Sequence, residues 1–312
     1  MVMPVIKPGT PFIPMEPVFH PEAFDDENYG FQIKWDGTRI IAHLDGPVEL
    51  FNRKMKKRTA QYPEVADALK EALRGTSAVL DGEIVTLSGD KPNFHQLMRR
   101  DRATDARTIN HLATRIPVTY VVFDILYLKD KCLADLPFWQ RDGILRSTLK
   151  SSDPVVVTDT FKGRGKALFA IVREKGLEGI VAKRLESTYQ IGKKSAKWLK
   201  IKNRQRTIAL VGGFVAEGKQ VRSLFLGQLV EGDLIYIGRA SSGLDEETGR
   251  ALYDFLSRRA ENTCPFVNPP AVERRENLVW VLPSASVEVE FYDYTEKGYL
   301  RHPVIKRVEL GL

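Results

Sequence analysis

The stretch YGFQIKWDGTRIIAH, residues 29–43, is an apolar, strand-like run that breaks in its middle, where Lys34, Asp36 and Arg39 intrude and Gly37 interrupts. Side chains at i and i+2 of a strand share a face, so Gln32 and Lys34 point the same way before the chain turns at Asp36 and Gly37. An unpaired buried lysine is costly, so this one needs a partner or a depressed pKa. The bland alternative is a strand-end lysine that pairs with Asp36 or reaches water along its own stem.

Outward from this stretch, residues 30–44 and 47–53 read as two strands joined by the turn signal LDGP. PEVADALKEAL (63–73) has helical spacing and a proline start. Strands are expected over 77–87 and 116–128, with a polar, basic, partly helical segment between them. GRGKALFAIVREKG (163–176) predicts a helix ending at Gly176, and EGIVAKRL and AKWLKIKN predict two more strands. This order is no regular βαβ repeat, and it predicts an α+β domain with largely antiparallel sheets over residues 1–205. From 206 to 312 the texture changes to short strands at turn-separated intervals around one helix, LDEETGRALYDFLSRR. That pattern fits a small β-barrel, with the OB-fold as its commonest form.

A length of 312 residues suits two domains, and 43% hydrophobic with 28% charged residues is an ordinary globular composition. No apolar run approaches the ~18 residues of a membrane span. The proline-rich start MVMPVIKPGTPFIPMEPVF is expected to be an extended leader over the first domain, not a signal peptide. Cys132 and Cys264 are too few for a four-cysteine zinc site, and a cytoplasmic location is the default expectation. The net charge of +7 is unevenly spread. Residues 208–312 hold 12 Lys+Arg and 15 Asp+Glu against totals of 47 and 40, which leaves 35 and 25, a net of +10, for residues 1–207. Such an excess suits either a solvated surface or the binding of nucleotides or nucleic acid.

Several other segments add chemistry to Lys34. LDGEIV ends a strand with Asp81 and Glu83 on one face, and EGIVAK sets Glu178 and Lys183 at the ends of a short apolar strand. KWLKIK puts Trp198, Lys200 and Lys202 on one face and Leu199 and Ile201 on the other. Three neighbouring lysines would depress the pKa of one of them, Lys200 and Lys202 would suit phosphate oxygens, and Glu83 and Glu178 would suit a hydroxyl or a divalent metal. No P-loop signature occurs.

The ordered set KWDGTR, NRKMKKRT, LDGEIV, YVVFDILYL, EGIVAK, KWLKIK and LRHPVIKR resembles the covalent nucleotidyltransferases. The resemblance is strongest to ATP-dependent DNA ligases of the bacterial end-joining type and covers roughly residues 10–308. It implies an adenylation domain followed by an OB-fold, with ATP and Mg²⁺ or Mn²⁺. It also implies that Lys34 is the nucleophile forming lysyl-AMP and that Lys200 and Lys202 hold the α-phosphate. Arg39 would meet the ribose or the DNA 5′-phosphate, Arg53 a phosphate, Glu83 the ribose hydroxyl, and Phe123 the adenine face. Gln32, Lys183 and Arg301 would join the nucleotide site, and Glu178, with Glu83, would hold the metal. Nicked or broken duplex DNA, a Ku-like end binder and a separate repair polymerase are the implied partners of a nucleoid-associated monomer. An RNA ligase, a capping guanylyltransferase or a catalytically weak DNA-binding relative are the alternatives. The family continues past its last motif into an arginine and an Asp–Lys pair, whereas here LRHPVIKR is followed by VELGL, with Glu309 in the arginine's place. The expectation is that Arg301, Lys306 and Arg307 take over that role, or that self-adenylylation is weak.

Overall fold

The computed structural model describes residues 6–89, 91–272, 277–295 and 297–311. The first five residues of the proline-rich leader, Asp90 of the basic segment and the first residue of ENLVWVLP lie outside them. The chain divides into two compact units, Met1–Asn203 and Arg204–Leu312.

The opening stretch is two strands, Tyr29–Ile33 and Thr38–Leu44, and they belong to different sheets. The single strand expected over 30–44 is therefore corrected. A Cβ on Gly37 would lie 2.1 Å from the carbonyl oxygen of Ile84, so only glycine lets the chain cross between sheets against that neighbour. Lys34 is the first residue of the crossing, pinned by a 2.9 Å bond from its N–H to the Gly179 carbonyl.

Among the described residues, the first sheet runs Glu16–Phe19, Lys194–Lys202, Gly179–Arg184, Tyr29–Ile33 and Phe161–Lys162. It is antiparallel apart from the edge pair of Glu16–Phe19 with Lys194–Lys202. The second runs Val155–Val157, Thr119–Leu128, Ala78–Val85, Thr38–Leu44 and Val48–Asn52, with Lys131–Cys132 beside Thr119–Leu128. Only its Val155–Val157 edge is parallel.

Alternation along each strand decides what faces what. Phe31, Ile180, Ala182 and Ile201 pack under the helix Gly165–Glu174, through Leu168 and Val172. Gln32, Lys34, Lys183, Trp198, Lys200 and Lys202 therefore take the opposite face. In the second sheet Ile40, Ala42, Leu80 and Ile84 pack with Val65 and Leu69 of the helix Pro63–Ala72. Arg39, Ile41, Asp81 and Glu83 take the other side. Ile41, Val79 and Leu126 of this sheet meet Met15, Tyr189 and Trp198 in one buried cluster, which joins the two inner faces. The basic segment between Ala78–Val85 and Thr119–Leu128 forms two helices, Phe94–Asp101 and Ala106–Arg115. Their N-caps are Asn93 and Asp105, each accepting from a backbone N–H three residues on.

In the second unit the strand Gln205–Glu217 pairs with Gln220–Val230, Leu278–Val281 and Ala285–Phe291. Gln220–Val230 carries Asp233–Ala240, and Ala285–Phe291 carries Val304–Leu310. A bridge from Ser242 to Val304 joins the two ends and closes the sheet into a barrel, with the helix Glu246–Ser257 packed on it through Leu252 and Leu256. Register shifts at Val211/Gly213 and Val215/Ala216 bend the long first strand round the barrel. Rings of Phe266 and Trp280 close on Gly212 and Gly213, where any Cβ would come within 2.6 Å of them. The expected α+β architecture with an OB-type barrel matches this arrangement. No helix among the described residues is long and apolar enough to cross a membrane.

His43 is 1% exposed between the rings of Phe12 and Phe51, and neither ring nitrogen has a hydrogen-bond partner. Burial pushes its pKa down to about 4, against opposing contributions from Glu49 and the nearby Lys7 backbone. The folded state favours neutral imidazole, so the unfolded chain binds the extra proton between 6.5 and about 4. Stability from this group is present above 6.5 and lost as pH falls. His43→Phe is expected to remove a loss of up to about 3 kcal/mol on acidification from about pH 7 to about pH 4, read by denaturant unfolding across that range. An unchanged pH slope in the variant would contradict this.

Candidate active site

Lys34 leaves its strand facing the second sheet. Its Nζ donates to Glu178 Oε2 at 2.6 Å, and Glu178 Oε1 also pairs with Lys202 Nζ at 3.3 Å. The pairing follows from register, because Gly179 stands opposite Lys202 and Ile180 opposite Ile33. A Cβ on Gly179 would lie 2.1 Å from the Ile201 carbonyl, so glycine is what lets the strands close at this point. One rung deeper, Gln32, Val181 and Lys200 align across three strands. Gln32 is buried and donates to Thr160 Oγ1 at 2.9 Å. Lys200 is the lysine held below its ordinary pKa, by partial burial first and then by Lys202, Lys34 and Lys194.

Glu83 stands opposite Arg39 on the second sheet, half-buried. Burial pushes its pKa up to about 8; Lys34 and Arg39 oppose this, while Glu178 and Asp81 add to it. Two carboxylates, Glu83 and Glu178, thus act on each other across the space in front of Lys34. Trp35 next to Lys34 buries an indole N–H that has no partner.

Arg39 is turned inward. Its Nε and Nη2 donate to the two oxygens of Asp81 at 2.9 and 2.6 Å, and Nη1 donates to the Met15 carbonyl at 2.7 Å. Tyr189 Oη accepts from Nη2 at 3.2 Å and donates to Asp81 at 2.7 Å. Burial works against the guanidinium charge, but Asp81, joined by Tyr189 and Glu83, more than offsets it and holds the pKa above its ordinary value. The bidentate Asp81 pair makes Arg39 a brace of the inner wall in this structure.

Phe123 is the extra residue at a register shift, since Asp81 faces Asp124 and Gly82 faces Val122. A bulge of this kind re-aims a side chain. Lys183, 2% exposed, donates to the Phe123 carbonyl at 2.9 Å and sits 4.5 Å from that ring's centroid. The rings of Trp198 and Phe138 lie 4.2 and 4.7 Å from the same ammonium. Burial pushes Lys183 down to about 8, against the pull of Asp124 and Asp81. Lys183 therefore supports the Phe123 wall from within.

Arg53 stands exposed in the turn after Val48–Asn52, outside the hydrogen-bonded cluster around Lys34. Arg301 belongs to the second unit, where its backbone bonds Asp293 and Tyr292. In that unit Lys306 pairs with Glu290 at 3.2 Å and Arg307 with Glu309 at 3.1 Å. Glu290 also holds Arg204 and Arg206, at 3.2 and 2.9 Å. Asp81 was placed by sequence but its role was not, and Tyr189 and Thr160 were missed. Only long-range pairing gives them their parts, and a single sequence does not carry that signal.

The chain matches the ATP dependent DNA ligase domain over residues 20–202 and the ATP dependent DNA ligase C terminal region over residues 217–309. It is 33% identical over 279 residues to the multifunctional non-homologous end joining DNA repair protein LigD of Mycobacterium tuberculosis, covering 88% of this chain and 35% of that protein. The chain thus spans about a third of the length of the first curated relatives it matches. The crystal structure of the ligase domain from M. tuberculosis LigD superposes with a TM-score of 0.57 at 30% identity, covering 96% of this chain and 95% of that one. Mycobacterial DNA ligase D complexed with ATP and MES gives a TM-score of 0.56 at 30% identity, with coverage of 96% and 95%.

Proposed function

Because the chain belongs to the ATP-dependent DNA ligase family, we propose that it seals 5′-phosphate/3′-hydroxyl breaks in duplex DNA, with residues 1–205 as adenylation domain and 206–312 as OB-fold domain. The observation that carries this is the setting of Lys34: it stands at the crossing between two sheets, bonded to Glu178, with Lys200 and Lys202 on the same sheet face one strand beyond Gly179–Arg184.

Lys34 attacks the α-phosphorus of ATP as a free amine. An N–P bond forms, the bond to pyrophosphate breaks and pyrophosphate leaves, and the proton passes from the nitrogen to Glu178 and on to solvent. Glu178, already bonded to the amine in the free protein, orients it. Lys200 and Lys202 present positive charge to the α-phosphate as charge builds on its oxygens. Phe123, re-aimed by its bulge and backed by Lys183, offers its ring to adenine, and Gln32 and Glu83 line the nucleoside side. AMP then passes from Lys34 to the 5′-phosphate of the break, and attack by the 3′-hydroxyl seals it with release of AMP. Arg53 and Arg301 are assigned to phosphate groups. Arg39 acts by holding the wall that carries Glu83.

Glu178 and Glu83 would hold Mg²⁺ or Mn²⁺. The donor set fits: Glu83 and Glu178 lie close enough to act on each other's charge, and magnesium sites take only one or two protein carboxylates besides substrate phosphates. When bound, the metal supplies charge neutralisation on the phosphates. Similarity to the end-joining ligases supports action at DNA breaks in the cytoplasm, at the nucleoid, by a monomer working with a Ku-like end binder and a separate repair polymerase.

The raised Glu83 pKa has a sign that can be tested. Between 4.5 and about 8 the folded protein keeps a proton that the unfolded chain has released. Stability from this group is full below 4.5 and is lost as pH rises through about 8. Glu83→Gln is expected to flatten the fall in melting temperature from about pH 5 to about pH 8. It should also weaken Mn²⁺ binding by roughly 10–100-fold at about pH 8.5 in calorimetric titration, because the metal needs the ionised carboxylate. If melting and metal affinity both track the wild type, Glu83 has neither role.

A further inference from the structure

We propose that the cavity between the two helices Phe94–Asp101 and Ala106–Arg115 is a second nucleic-acid contact of this domain, one that grips the phosphodiester backbone of the duplex away from the reacting ends. The cavity holds about 380 Å³; Arg99, His111, Arg115, Ser88 and Gln96 form its polar wall, over an apolar floor that includes Leu112 and Ile116. Among the described residues no carboxylate lines it.

Basic residues continue as stripes beyond the cavity. Arg107, His111 and Arg115 recur every four residues and so lie along one face of their helix, and all three are exposed. His95, Arg99 and Arg102, spaced by four and three, do the same on the neighbouring helix segment. Arg99 and Arg102, three residues apart, are like charges on one face and repel unless something neutralises them. Within the segment the described carboxylates are already engaged: Asp101 with Arg58 and Tyr62, Asp105 as the N-cap of its helix. The described carboxylates of the segment thus leave these arginines to a partner from outside, and four exposed arginines spread over two helices match a polyanion with repeated charges better than a single small anion.

The platform is rigid. Arg100, 1% exposed on the far face of the first helix, is ion-paired with Glu64 and donates to the carbonyls of Gln61 and Ile116 at 2.7 and 2.9 Å. It bolts both helices to the core, so the outer stripes keep their spacing.

The inference rests on the ligase reading. It is tested on the full chain with the double variant Arg99→Glu/Arg115→Glu and the milder Arg99→Gln/Arg115→Gln, with melting curves to verify folding. Binding to a long nicked duplex is measured by fluorescence anisotropy over a salt series. The expected result is at least tenfold weaker binding by the Glu pair, less by the Gln pair, and a log K against log[salt] slope smaller by about 1 to 2. Unchanged affinity and slope in the Glu pair would overturn the proposal. So would wild-type binding displaced by millimolar inorganic phosphate as effectively as by unlabelled duplex. Labelling of the wild type by ATP without DNA reports separately on the ligase reading: its failure would sink that reading while the binding data still decide on the cavity.

Discussion

Nick sealing by Lys34→Ala is expected to fall on the order of 10⁴-fold or more, to the assay floor, because removing a covalent nucleophile leaves no alternative carrier for AMP. The neighbours cannot substitute. Lys200 and Lys202 start from a different strand, and Lys202 is itself paired with Glu178. Lys34→Arg separates charge from chemistry: guanidinium keeps the positive charge and the bond to Glu178 but stays protonated and does not attack phosphorus. It should be as inactive as alanine. A nick supplied with AMP already on its 5′-phosphate bypasses the first two steps, so both variants should seal it far better than a plain nick. Equal failure on both substrates would show that Lys34 serves the fold or the DNA rather than the adenylate.

The second large effect is structural. Asp81→Ala is expected to cost about 3–5 kcal/mol, a drop of roughly 6–20 °C in melting temperature for a domain of this size. Asp81 is fully buried and receives two bonds from Arg39 and one from Tyr189. Truncation leaves a nearly buried guanidinium and a buried hydroxyl without their acceptor, and the missing partner rather than the missing contact sets the cost. Asp81→Asn keeps the shape and one acceptor and should fall between the two. A melting temperature for Asp81→Ala within a degree or two of wild type would mean that Arg39 is not held by Asp81 in solution. Its side chain would then be available to ribose or DNA, as the family resemblance suggests.

The inner faces were legible in the sequence because strand alternation is local. Trp198, Lys200 and Lys202 against Leu199 and Ile201, or Asp81 and Glu83 against Leu80 and Ile84, follow from period two alone. The division of residues 29–43 between two sheets was not legible. Apolar alternation continues on both sides of Lys34, and periodicity does not report which sheet a strand joins; only the close approach of Gly37 to Ile84 decides it. Arg39 looked like a ligand-facing arginine because its partners, Met15, Asp81 and Tyr189, lie 24, 42 and 150 residues away in sequence. Lys183 was hidden in the same way, its aromatic enclosure drawn from residues 123, 138 and 198. The helix Phe138–Thr148 escaped notice because FWQRDGILRST shows no single apolar stripe and carries Gly143, while its Arg141 is buried against Asp124. Buried ion pairs invert the usual polar-outside pattern, so they erase the very signal on which such a prediction depends.

The central claim is that Lys34 takes AMP from ATP, and chemical mapping of the adduct tests it most directly. The wild-type chain is incubated with ATP labelled at the α-phosphate and Mg²⁺, without DNA, then digested and sequenced by mass spectrometry. A single AMP is expected on the peptide containing Lys34, released by added pyrophosphate and absent from Lys34→Ala. An adduct on another residue, or label taken from GTP in preference to ATP, would contradict it.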